Sequence, residues 1–358
     1  MSRSWIPLLM LMSISACADD RGGAGSDPGD SSDGAEQTES GPGETGEPSE
    51  SESESDTDDP TDDPTEDPTE DTEDTDDPGE LPAGCNQPAL DPGTHKNQTV
   101  DVNGTARSYE LFVPVTYKPD NPSALVLNFH GLLGNPAQQA DWSQFNQSAQ
   151  LRGMLVAYPA GIGNSFNAGA CCGEANSQGV DDIGFARALV DKLLAEHCID
   201  PRRVYVTGMS NGGHMAHTLA CEAADVFAAA ASVTGVMGLP PSECQPSRPI
   251  SIMDFHGTAD SIVAYGGYGP GYPPVDAMME DWAERNGCSP VSEVSFQEGD
   301  VTCESWPGCD GDVEVTLCTI DGGGHCWFGN PDCLFGASTT TIHASERIAD
   351  MFLLQTLP

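Results

Sequence analysis

The chain has 358 residues, with 13 lysines and arginines against 57 aspartates and glutamates, a formal net charge of −44 at pH 7. So acidic a molecule excludes nucleic acid as a partner, and it argues against adhesion to anionic lipid through a basic patch. Length alone would allow two domains, but the composition is too uneven for an average to be informative, and the parts need separate readings.

At the start, Arg3 precedes an apolar run from Trp5 to Met12, and Ser15 and Ala16 precede Cys17. This is the layout of a secretory signal. The run is far shorter than the roughly 20 apolar residues of a membrane span. Ile14-Ser15-Ala16-Cys17 resembles a bacterial lipobox, which implies that Cys17 is acylated and becomes the mature N-terminus. Residues 1–17 are therefore expected to be a lipoprotein signal peptide, and the protein to sit at the cell surface, touching a bacterial membrane through that anchor only.

From Ala18 to about Glu80 the chain is built of Asp, Glu, Ser, Thr, Gly and Pro, without an aromatic residue. Such a segment buries too little apolar surface to offset chain entropy. Roughly 25 of the 44 net negative charges lie here. Charge repulsion and proline keep it extended, so residues 18–84 are expected to form a disordered acidic linker reaching on the order of 200 Å. Calcium binding needs a fixed turn and defined ligand positions, and like-charge blocks are usually solvated tails.

Of 13 cysteines, one is assigned to lipid, leaving 12 between Cys85 and Cys333. In an exported protein an even set implies disulfides. Paired Cys-x-x-Cys units are missing, so no metal is expected. Cys288 with Cys309 and Cys221 with Cys244 are candidate pairs. Cys171 and Cys172 are expected to have different partners, because a ring between neighbours is strained.

Residues 85–358 are enough for one α/β domain. Ser108 to Val113 alternates like a strand, and Ala124 to Phe129 is a short apolar run suited to a buried one. Gln138 to Leu151 reads as a helix and Met154 to Tyr158 as a strand. Val180 to His197 places Ile183, Ala186, Val190 and Leu193 on one helical face, with Asp181 and Asp182 as caps. Val204 to Thr207 is a strand, followed by helix-compatible residues from Gly213 to Cys221. Ala228 to Val233 and Ile250 to Phe255 are further strands, Asp276 to Arg285 a helix, Val313 to Ile320 a strand, and Thr341 to Gln355 the closing helix. Strands alternating with helices predict a mainly parallel central sheet flanked by helices, with reactive groups at the strands' carboxyl ends.

Between a predicted strand and a predicted helix lies Gly208-Met209-Ser210-Asn211-Gly212, the setting that a nucleophile elbow of the α/β-hydrolase fold requires. A serine hydroxyl needs a base to take its proton and an acid to orient that base, and in this fold the chain order is serine, acid, histidine. Asp260 lies just past the strand ending at Phe255, and His325 just past the strand ending at Ile320. Asp254 is set aside as lying inside a strand, and Asp181 and Asp182 as caps. His214 and His217 are expected to point away on the elbow helix, and His130 and His256 to support loops. An oxyanion needs two convergent N–H donors. The backbone of Asn211 and that of Leu132 are the candidates, with Leu133 the near alternative. Trp142, Phe166, Trp327 and the loop Tyr265 to Tyr272 are candidates for stacking on an aromatic acyl group or a sugar, with ordinary packing as the alternative. No cofactor and no protein partner is expected.

From Ser108 to Phe352 the chain resembles the extracellular polyhydroxybutyrate depolymerase-like or feruloyl esterase-like family. The marks are Phe129-His130-Gly131, Tyr158-Pro159-Ala160-Gly161, the run from Asn167 to Gly173 with its Cys171-Cys172 pair, the run from Val180 to Phe185, Arg203 to Gly213, His256-Gly257-Thr258-Ala259-Asp260 and Gly324-His325-Cys326-Trp327. The resemblance implies a triad of Ser210, Asp260 and His325, and an ester substrate: feruloyl or acetyl groups on plant polysaccharide, or else bacterial polyester. A surface lipoprotein that binds without catalysis is the alternative from another class. Phe166, Cys326 and Phe328 depart from the residues usual in the family, and the resemblance places these positions beside the catalytic gorge.

Overall fold

The computed structural model describes residues 81–358 apart from Ala89, Pro270 and Leu334. The expected signal, Cys17 and nearly all of the acidic linker lie outside the described residues.

Among the described residues ten strands form one sheet. They are β1 (Gly93–Val102), β2 (Thr105–Val113), β3 (Ser123–Phe129), β4 (Leu155–Pro159), β5 (Ile199–Met209), β6 (Ala229–Val233), β7 (Ser251–Gly257), β8 (Glu293–Glu298), β9 (Val301–Trp306) and β10 (Val315–Ile320). The order across the sheet is β1-β2-β4-β3-β5-β6-β7-β10-β9-β8. The stretch from β4 to β10 is parallel, and both edges are antiparallel. Strands covered on both faces have no polar face to show, and β4, β6 and β7 are buried at every position.

The helices are α1 (Pro136–Ser143), α2 (Phe145–Arg152), α3 (Glu174–Ser177), α4 (Asp182–Glu196), α5 (Asn211–Glu222), α6 (Val275–Arg285) and α7 (Ala344–Leu354). Apolar residues of α4, α5 and α6, among them Leu189, Leu219 and Trp282, pack on one face of the sheet. Phe145 and Ala149 of α2, with Ile348 and Phe352 of α7, cover the other. This is the α/β-hydrolase architecture.

Local differences from the sequence reading have identifiable causes. The single helix expected over 138–151 is two, because Gln144 turns left-handed at φ 52° and caps α1 through its N–H to Ala140. The antiparallel strands β1, β8 and β9 went unread. Most of β8 is exposed, so it carries little of the apolar pattern on which strand reading relies. Asp181 does cap α4, accepting from the Gly184 N–H at 2.7 Å. Asp182 does not: it is buried and pairs with Arg107 at 2.6 Å.

The disulfides are Cys85–Cys198, Cys171–Cys172, Cys221–Cys244, Cys288–Cys309, Cys303–Cys318 and Cys326–Cys333. Both candidate pairs are present. The expectation that Cys171 and Cys172 have separate partners is overturned. Among the described residues the other ten cysteines pair among themselves, as where Cys303 faces Cys318 in the β9–β10 register, which leaves the two neighbours to each other.

Candidate active site

Ser210 stands between the last residue of β5 and the first of α5, at φ 56° and ψ −120°. A side chain at positive φ is costly, and here the surroundings impose it. The Ser210 N–H donates to the Val233 carbonyl at 2.9 Å, and its own carbonyl accepts from the His214 N–H at 2.8 Å. A Cβ on Gly208 would strike the Gly212 carbonyl, and one on Gly212 the Phe129 carbonyl. Only glycine permits the chain to close so tightly on both sides of the serine.

Across the sheet, Asp260 occupies the turn after β7 and His325 the loop after β10. His325 Nδ1 donates to Asp260 Oδ2 at 2.7 Å. The other oxygen of Asp260 accepts from the N–H groups of Ile262 and Val263, at 2.8 and 2.9 Å. Both residues are only 4% exposed. With its Nδ1 proton committed to Asp260, the imidazole presents the lone pair of Nε2.

The imidazole and the elbow share the wall of one open cavity, lined by His325, Met209, Trp142, Cys326, Trp327, Asp332, Cys333 and Phe335. Ser210 Oγ makes no hydrogen bond to His325 in this conformation. Such contacts commonly tighten only when substrate is bound.

The loop after β3 lies against the serine, since a Cβ on Gly131 would sit 3.9 Å from Ser210 Oγ. His130 holds that loop. Its Nδ1 donates to the Gly131 carbonyl at 2.8 Å, and its Nε2 accepts from the Gly161 N–H at 3.1 Å. Burial pushes its pKa down to about 4, against the pull of the Gly131 carbonyl, so it stays neutral. The Leu133 N–H is already donated to the Asn164 carbonyl at 2.8 Å. Among the described residues the N–H groups of Leu132 and Asn211 have no protein acceptor, which favours Leu132 over Leu133.

Sequence reasoning missed what the Asn211 side chain does. Its Oδ1 accepts from the Phe166 N–H at 2.7 Å and its Nδ2 donates to the Phe166 carbonyl at 2.9 Å. The elbow is thereby fastened to the loop that carries Cys171 and Cys172. Asp182 fastens that loop from below, accepting from the Asn167 N–H at 2.7 Å. Neither contact has a local signature, because each joins residues distant in sequence.

Of the stacking candidates, Trp142 and Trp327 line the cavity. Phe166 does not. It is wholly buried, with its ring 4.9 Å from that of Phe129 and 4.6 Å from that of His130, and it belongs to the core. Phe328 is wholly buried as well. The Tyr265 to Tyr272 loop packs Tyr272 against His214 and leaves Tyr268 exposed. His214 lies nearer the elbow than expected, but its Nδ1 contacts the Ser210 carbonyl, at 2.8 Å, and not the hydroxyl.

A strained serine between a parallel strand and a helix, with an aspartate–histidine couple at the neighbouring strand ends, defines an α/β-hydrolase. Residues 107–264 match the family model described as Esterase PHB depolymerase. The probable feruloyl esterase C of Aspergillus flavus is 30% identical over 218 residues, covering 59% of this chain and 71% of that one. The chain belongs to the polyhydroxybutyrate depolymerase-like, feruloyl esterase-like family of carboxylic ester hydrolases. Feruloyl esterase B of Piromyces equi is 34% identical over 230 residues, 59% of this chain; the match spans 41% of that longer relative. Among solved structures, the acetyl xylan esterase of Aspergillus awamori superposes with a TM-score of 0.51 at 16% identity, over 72% of this chain and 99% of its own, a likeness of fold.

Proposed function

We propose that the protein is an exported serine esterase, held to a bacterial membrane by lipid on Cys17, that releases feruloyl or acetyl groups from plant cell-wall polysaccharide. The observation that carries this reading is the Asp260–His325 couple, 2.7 Å apart, sharing a cavity wall with the residue next to Ser210. Relatives named feruloyl esterase support the substrate class.

In this reading Ser210 Oγ attacks the ester carbonyl as His325 Nε2 takes its proton, and Asp260 stabilises the imidazolium. The N–H groups of Asn211 and Leu132 receive the oxyanion. His325 then passes the proton to the departing sugar oxygen. Water, deprotonated by the same imidazole, frees the acid from the acyl-enzyme. Trp142, Trp327 and Phe335 offer ring faces and edges to an aromatic acyl group or a sugar.

A second reading keeps the chemistry and makes the substrate a solid polyester. It is favoured by exposed Leu132, Leu133, Tyr268 and Phe335, apolar side chains on loops that also carry or adjoin site residues. Methyl ferulate, acetylated xylan and polyhydroxybutyrate granules, offered in parallel, decide between the two. Turnover of the first two without adsorption to granules is expected. Granule clearing with no release of ferulate or acetate supports the polyester, and turnover of none of the three defeats both readings.

A further inference from the structure

Behind the Asp260–His325 couple lies a second group of buried ionisable side chains that the proposed reaction does not use. Asp254 and His256, two residues apart on one face of β7, are completely buried. His217 approaches Asp254 from α5, with 3.5 Å between Nε2 and Oδ2. His256 Nδ1 lies 3.6 Å from the other Asp254 oxygen. On its far side, His256 Nε2 is 2.8 Å from the Val263 carbonyl and 3.6 Å from Asp260 Oδ2. Both Asp254 oxygens, His217 Nε2 and His256 Nδ1 have no closer partner, so four buried polar atoms face one another.

Donor and acceptor roles fix where the protons are. The Trp282 indole N–H, which only donates, lies 3.2 Å from His217 Nδ1. His217 therefore carries its proton on Nε2, facing Asp254. A carbonyl only accepts, so His256 Nε2 carries a proton toward Val263. One gap remains, between Asp254 Oδ1 and His256 Nδ1, and it must hold a proton, since two bare acceptors facing each other in a dry interior repel. Burial works to lower the His256 pKa, but Asp254 outweighs it and holds it above the ordinary imidazole value. Burial works to raise Asp254, and His217 and His256 together hold it below the usual carboxylate range. Both directions put the shared proton on His256.

We propose that His256 is a permanent buried imidazolium, balanced by Asp254, and that it is a positioning residue for Asp260. Its Nε2–H holds the Val263 carbonyl and so fixes the turn whose two N–H groups grip Asp260. Its charge tempers the pull of Asp260 on protonated His325. The inference rests on the roles proposed above for Asp260 and His325. The other groups facing His256 supply no competing charge at pH 6–8: Tyr265, 6.0 Å away, is bonded to Thr319, and His214 on α5 is held neutral by burial, with its pKa down to about 4.

Ring spectra of 15N-labelled histidine in the full chain test the charge directly and need no substrate. At pH 8 one ring protonated on both nitrogens is expected, lost in His256→Gln and in Asp254→Asn. In parallel, kcat on methyl ferulate is expected to fall roughly 10-fold to 100-fold in Asp254→Asn, with KM little changed. His256→Gln leaves Asp254 without its counter-charge, so the acid limb of kcat/KM is expected to rise by about one pH unit at low salt. Asp254→Asn removes both charges together and leaves that limb nearer its original place. A purely structural role would lower activity without moving the limb. A wild-type spectrum without a doubly protonated ring at pH 8 overturns the proposal, as does an unmoved limb in His256→Gln; if neither variant folds, the wild-type spectrum decides alone. Failure of every ester assay would sink the esterase reading while leaving the ring spectrum interpretable.

Discussion

The two walls of the site are held in different ways. On the serine side, Ser210 is clamped between β5 and α5, with glycines meeting carbonyls on both flanks and Asn211 bonded to the Phe166 backbone. Opposite it, His325 sits in a long loop tied by isolated bridges, His325 to Phe335 and Gly323 to Ala337, and by the Cys326–Cys333 disulfide. The serine therefore shares the cooperative stability of the sheet, whereas the imidazole depends on local ties. Damage to the second wall should lower activity before it unfolds the protein.

Four perturbations sharpen or break that contrast. The largest effect is expected from Ser210→Ala, a loss of roughly 10⁴-fold or more in kcat with the melting temperature kept; retention of most activity would remove Ser210 from its role. Gly212→Ala drives a Cβ into the Phe129 carbonyl. It should cost about 1–3 kcal/mol or more in urea unfolding and take activity down with the fold. A fully stable variant would show that the serine wall is not close-packed.

Third come the disulfides, by the entropy of the loops they close. Serines at both Cys85 and Cys198, which span 113 residues, should cost about 5 kcal/mol; serines at both Cys326 and Cys333, which span 7, about 2.5 kcal/mol. Activity at a temperature where both variants remain folded should show the reverse order, with the short loop the more damaging. Equal losses would erase the distinction between the walls. The smallest effect is on pH dependence. A histidine with a depressed folded pKa binds fewer protons folded than unfolded, so its stability contribution is lost as pH falls from about 6.5 toward 4. His130 and His214 are both pushed down to about 4. His130→Asn should therefore flatten the decline of unfolding free energy over that range, and an unchanged slope would show that His130 is not buried neutral.

Legibility in the sequence follows the range of the interactions involved. Strands buried on both faces read as apolar runs, so the parallel centre of the sheet is legible, whereas polar β8 at an edge is not. Ser210, Asp260 and His325 stand out because each follows a recognisable strand in the order the fold demands. Phe166 looks like any aromatic residue until its tertiary surroundings are known, and those place it in the core. The Asn211 clamp and the approach of His217 to Asp254 join atoms from separate elements, and no periodicity encodes such meetings. Pairing of Cys171 with Cys172 emerges only once the other ten cysteines of the described residues are placed.

The most direct test of the proposed chemistry is covalent. A fluorophosphonate probe added to the purified full chain, followed by peptide mass spectrometry, is expected to give one adduct per molecule on Ser210. His325→Ala should slow the labelling strongly. A folded protein that takes up no probe, or takes it up on another residue, would contradict the assignment and leave a hydrolase fold that serves in binding alone.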